Sequence, residues 1–271
     1  MSGKKVCLAL FLLLGVLLGG CAFGVSDASE PARLFAEANR FYADGNYKAA
    51  GEGLLRLSKK FSRNPRVFNN LGNVYLKEGD PDAAQSAYEK ALELNPGYVI
   101  ARVNLAVLLL RSRKTKEAYA EFLEILKAYR DDADIRNGLG VCELRQGRIK
   151  EGVNHFRKAI DIQGDFPLFY NNLAFAYAES NEYLNESLKM AKEALKAEPG
   201  NPVFLDTLGW IYFKRGVFDR SIQLLQNALG RAPAQEEIRS HLVSVYRWLG
   251  REKEAVALIR EGGRERAMQT H

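Results

Sequence analysis

Apolar residues recur at three- and four-residue spacing along most of this chain, which predicts helices that bury one face. Residues 65–98 read PRVFNNLGNVYLKEGDPDAAQSAYEKALELNPGY. Phe68, Leu71, Gly72 and Tyr75 mark one apolar stripe, and Ala84, Tyr88, Ala91 and Leu92 mark a second. Gly79-Asp80 punctuates the two, so the stretch predicts a pair of helices joined by a tight turn. At the N-terminus the pattern differs: residues 6–18, VCLALFLLLGVLL, form a run of 13 apolar residues.

The helical pattern is itself periodic. A small residue following a leucine recurs at Gly72, Ala106, Gly140, Ala174 and Gly209, in steps of 34, 34, 34 and 35. The step reaches back to Ala38 and on to Val243. A second small column runs Ala50, Ala84, Ala118, Gly152, Ser187, Ser221, Ala255. A large column holds Leu54, Tyr88, Phe122, Phe156, Ala191, Leu225 and Ile259. Phe41, Tyr75, Tyr177, Tyr212 and Tyr246 make an aromatic column, from which Leu109 and Glu143 depart. One extra residue near ESNEYLNES accounts for the single step of 35.

This period and these columns resemble the tetratricopeptide repeat, TPR. The resemblance implies an all-α, right-handed superhelical TPR solenoid of about seven helix-turn-helix repeats over residues 31–263. Unit boundaries are expected near 31, 65, 99, 133, 167, 202 and 236, with a tail at 264–271. No such unit buries its apolar face alone, so neighbours must stack.

The apolar run is shorter than the roughly 20 residues that span a bilayer. With the basic MSGKK before it, it reads as a signal peptide over 1–20. Its exit, Leu18-Gly19-Gly20-Cys21, resembles the bacterial lipobox. That resemblance implies cleavage before Cys21, a lipid on its thiol and an acylated amine. More than one acyl chain is what makes membrane anchoring stable. Residues 21–30 then form the lipidated cysteine and a short tether. Ala22 stands where the family places Asp for inner-membrane retention, which points to the outer membrane and a periplasm-facing array.

Composition narrows the rest. Of 271 residues 47% are hydrophobic and 27% charged, as in globular proteins. The net charge is +6, or +4 without Lys4 and Lys5 (37 basic against 33 acidic), too mild and too dispersed for a nucleic-acid partner. Three cysteines make no disulfide framework. Cys142 reads as a buried small hydrophobe, His155 as a surface residue, and His241 as a neighbour of the groove without a catalytic role. There is no phosphate loop, zinc motif or nucleophile elbow, so no enzyme, metal, cofactor or small-molecule substrate is expected.

In the resembled family the first helices line a concave surface that holds a peptide or helix. Carried over by column, the groove comprises Asn69, Asn73, Asn104, Val107, Leu110, Asn137, Val141, Leu144, Asn171, Phe175, Trp210 and Phe213. Its asparagines can pair with a client backbone, and Phe175, Trp210 and Phe213 would be its anchors. Phe35, Val103 and Asn137 stand where a carboxylate clamp needs lysine, so that binding mode is not expected. The size and layout resemble TPR lipoproteins that assist pilus or secretin assembly. An adaptor for cell-wall enzymes and a polysaccharide-export component are the alternatives.

Overall fold

The protein is described here by a computed structural model covering residues 30–269. The expected signal peptide, Cys21 and the expected tether up to residue 29 lie outside the described residues. Among those described there are fourteen helices and no strand. They run as consecutive pairs: α1 (Glu30–Ala43) and α2 (Tyr47–Lys60); α3 (Pro65–Glu78) and α4 (Pro81–Leu94); α5 (Val99–Arg111) and α6 (Thr115–Ala128); α7 (Ala133–Arg145) and α8 (Ile149–Ile162); α9 (Pro167–Glu179) and α10 (Leu184–Ala197); α11 (Pro202–Lys214) and α12 (Phe218–Arg231); α13 (Glu236–Trp248) and α14 (Glu252–Gln269). The chain divides into two compact units, one ending at Cys142 and one beginning at Glu143.

Local chemistry sets the helix ends. Pro65, Pro81, Pro167 and Pro202 open helices at the first turn, where a missing N–H costs nothing. Asn46, Asn64, Asp80 and Asn201 cap their helices by accepting from backbone N–H groups at 2.9–3.2 Å. Such caps stabilise by about 1 kcal/mol each. Gly79 ends α3 at φ +81°, the left-handed conformation that glycine adopts without a Cβ penalty. The second helices α6, α8, α10 and α12 begin instead at Lys114, Arg148, Tyr183 and Val217, with no side-chain cap. The extra residue of the fifth pair is absorbed by left-handed Asn181 and Tyr183.

The small and large columns supply most of the core, with Ile259 of the last pair left 43% exposed. In unit 1, Ala50, Leu54 and Leu57 pack with Val67, Leu71 and Val74. Ala84 and Tyr88 pack with Ala106, Leu109, Phe122, Ile125 and Leu139. Small residues are small because rings lie on them: a Cβ on Gly72 would stand 2.5 Å from the Tyr88 ring, and one on Gly138 2.7 Å from Phe122. In unit 2 a Cβ on Gly209 would stand 2.9 Å from Leu225. Ser187 holds its pair together in another way, donating its hydroxyl to the Ala174 carbonyl at 2.7 Å. Cys142 is fully buried.

Two sequence irregularities acquire reasons. Glu143, the departure from the aromatic column, is buried and takes the guanidinium of Arg148 at the start of α8. At the other end, the chain does not leave helix at 264: α14 continues to Gln269. Its Gly262 does not break the helix, since Arg239 occupies the space a Cβ would need and donates to the Leu258 and Pro233 carbonyls. His155 is half-buried rather than on the surface.

Candidate functional site

In unit 1 the first helices share a ladder of side-chain amides. Asn70 donates to Asn39 at 3.4 Å, and Asn69 donates to Asn70 at 3.2 Å. Asn104 donates to Asn69 at 2.9 Å and to Asn73 at 3.3 Å. The Tyr88 hydroxyl closes the chain by donating to Asn73 at 2.7 Å. The ladder ties α1, α3 and α5 to one another and to α4. Asn69, Asn73, Asn137 and Leu110 are buried, so their side chains face protein and not open space. Asn104, Val107 and Val141 are half-buried. Neighbouring first helices stand close enough for one amide to satisfy the next, and a buried amide without a partner would be costly.

In unit 2 the same face is aromatic. Phe175 comes from α9, Trp210 and Phe213 from α11, and His241 and Trp248 from α13. The His241 ring stacks on Trp210 at 4.5 Å and lies 5.6 Å from Phe175, so α9 and α13 meet across α11. Trp210 and Phe213 are 5.0 Å apart, and Trp248 stands edge-on to Phe213 at 5.8 Å. Phe175, Trp210 and Phe213 are half-buried, as is Leu144; Asn171 is buried, with its carbonyl oxygen unpaired.

Polar groups fix these rings. His241 Nδ1 lies 2.9 Å from both carboxylate oxygens of Asp206, which is buried beneath it. Trp210 donates its indole N–H to Glu179 at 2.7 Å. Lys214 pairs with Glu179 at 3.5 Å and stands 5.4 Å over the Trp210 ring, a cation–π contact. Ring orientation is thus fixed by contacts within the chain. Asp206 and His241 together hold this aromatic surface in place. Among the described residues no group of three or more His, Cys, Asp or Glu side chains could hold a metal.

Five of the twelve residues expected in the groove lie in unit 2, and the structure brings Phe175, Trp210 and Phe213 together there. Sequence columns missed Trp248, which has no aromatic counterpart one repeat earlier, and the supporting Glu179 and Lys214. His241 was visible as the residue in the column of Asn70, Asn104 and Asn172, but its stacking was not.

Tetratricopeptide-repeat family models match residues 35–97 and 75–141. The TPR repeat-containing protein PA4667 of Pseudomonas aeruginosa is 27% identical over 171 residues, which cover 63% of this chain and 29% of that protein. The TPR repeat-containing protein YpiA of Bacillus subtilis is 22% identical over 229 residues, 82% of this chain and 52% of that one. The chain therefore spans about half the length of these relatives or less. A solved tetratricopeptide repeat protein from Parabacteroides merdae shares the fold, with a TM-score of 0.69 at 15% identity over 86% of this chain and 92% of the other.

Proposed function

We propose that this chain, a tetratricopeptide-repeat scaffold with bacterial TPR relatives, holds a protein client on the first-helix face of unit 2 while a lipid on Cys21 ties it to the cell envelope. The observation that carries the client half is the half-exposed set Phe175, Trp210 and Phe213, held by the Asp206–His241 and Glu179–Lys214 pairs. A rigid aromatic surface with its hydrogen-bonding needs already met is what a hot spot requires. Support for the anchor is the run Leu18-Gly19-Gly20-Cys21 after an apolar stretch too short to cross a bilayer. Among the described residues no helix is long and apolar enough to cross a membrane. The reading is a periplasm-facing outer-membrane lipoprotein that assists assembly of an envelope complex of the pilus or secretin kind.

In-cell crosslinking and pull-down, read by mass spectrometry, tests this with tagged wild type against a Trp210→Ala/Phe213→Ala variant. Pilus or secretin components captured by the wild type and lost in the variant are the expected result. The same partners retained by both would move the client off this face, and cell-wall enzymes in their place would replace the assembly role. The anchor is tested separately: Cys21→Ser should leave the membrane fraction on a carbonate wash, and a variant still tightly membrane-bound would refute lipidation.

A further inference from the structure

The turn joining α11 to α12 carries exposed Val217, and the end of α13 carries exposed Trp248, whose ring also meets Phe213 of the aromatic face. Trp248 is 63% exposed and Val217 42%. The Trp248 ring lies 4.5 Å from Phe218, so tryptophan, valine and phenylalanine make one apolar tip. Val217 occupies the N-cap of α12 and, like Lys114, Arg148 and Tyr183 before α6, α8 and α10, makes no capping hydrogen bond. A helix start gains stability from a polar side chain there.

Charge surrounds the tip. Arg215, Arg220, Arg247, Arg251 and Lys253 are all exposed within the same two turns, against Asp219, Glu252 and Glu254. Arg247 and Arg251 rest on Glu252 at 3.5 Å and Glu254 at 2.7 Å, exposed pairs that exchange readily for another anion. Tryptophan with arginine around it is the chemistry of the membrane–water interface: the indole sits at headgroup depth and the guanidiniums on phosphates. An acidic peptide would call for cations gathered against one another; here Arg215 and Arg220 flank Val217 and Phe218 along the chain and Arg247 adjoins Trp248, so cationic and apolar side chains alternate as they do at a membrane interface.

We propose that this tip docks on an anionic phospholipid surface, with Trp248, Val217 and Phe218 entering the headgroup layer and Arg215, Arg220 and Arg247 on lipid phosphates. The contact uses Trp248, which also meets Phe213 of the first-helix face, and does not depend on Cys21. It gives unit 2 its own hold on the membrane.

The full chain carrying Trp210→Phe, in which Trp248 is the remaining tryptophan of two, tests this. It is mixed with vesicles of phosphatidylcholine alone or with phosphatidylglycerol, each brominated on the acyl chains. Depth at Trp248 is the readout, so attachment through the N-terminal segment does not mimic it. With anionic vesicles the emission should shift to the blue and be quenched. Arg215→Glu/Arg247→Glu should raise the lipid concentration needed at least tenfold, from roughly fivefold per cation near such a surface. Val217→Ser should make quenching shallower. Circular dichroism of each variant checks that the helices are kept. Unquenched, solvent-like emission with both vesicles overturns the proposal, as does quenching that ignores the charge reversal. A shift on adding polyglutamate but not vesicles would overturn it in favour of an acidic protein partner.

Discussion

Gly72 shows how a single small residue carries the fold. Its missing Cβ is the space in which the Tyr88 ring lies, and Tyr88 is wholly buried. Gly72→Ala should therefore destabilise by about 1–3 kcal/mol through overpacking, read as a lower urea midpoint with an unchanged slope. Tyr88 also makes stability fall at alkaline pH. Burial, with a smaller contribution from Tyr42, holds its phenol well above the usual 10.0, and burial does the same to Tyr42 itself. Below pH 10 the phenol is neutral in folded and unfolded chains alike. Above it the unfolded phenol ionises while the buried one keeps its proton, so the native state binds more protons and stability falls as pH rises. Tyr88→Phe should flatten that alkaline limb. It should also lose about 1 kcal/mol at neutral pH with the bond to Asn73. Stability curves of both proteins across that range check the pair of effects.

At the scale of elements, the columns decide which helices meet. Ala84, on α4, is fully buried in a cluster shared with apolar residues of α5 and α6. Ala84→Arg would bury an unpaired charge and overfill the packing at once, so a loss beyond about 4 kcal/mol is expected. Thermal melting checks it, and an unchanged midpoint would show the register of the pairs to be wrong. Across α9, α11 and α13 the determinants are different. Removing the carboxylate in Asp206→Ala leaves His241 without its partner and should cost about 1.5–3 kcal/mol. The Trp210 emission should change with it, because the ring stacked on that indole is released.

At the scale of the whole chain, repeat architecture makes stability a sum over neighbours. Leu54 is buried in the cluster of α1, α2 and α3. Leu54→Ala should cost about 2–5 kcal/mol there. By hydrogen exchange the loss should appear in α1–α3 before α5 and α6, since local opening follows local packing. Uniform loss of protection across unit 1 would instead mean that its pairs unfold as one.

Periodicity alone was enough for the helix pairs, the turn glycines and the buried columns, because each unit must hide the same stripe against the next and so repeats the same residues. Residues 65–98 carried that logic in full. The lipobox reading rests on Cys21, which lies outside the described residues. Contacts between positions that share no column needed three dimensions. The TPR resemblance implies groove positions for Asn69 and Asn73, but close first helices let them satisfy Asn70, Asn104 and Tyr88. Phe175 and His241 are 66 residues apart and meet over Trp210 because α9 and α13 turn toward each other across α11. A repeat specifies its neighbours through a local pattern. Where side chains of three helices converge depends on curvature, a property of the stacked pairs that no single repeat encodes.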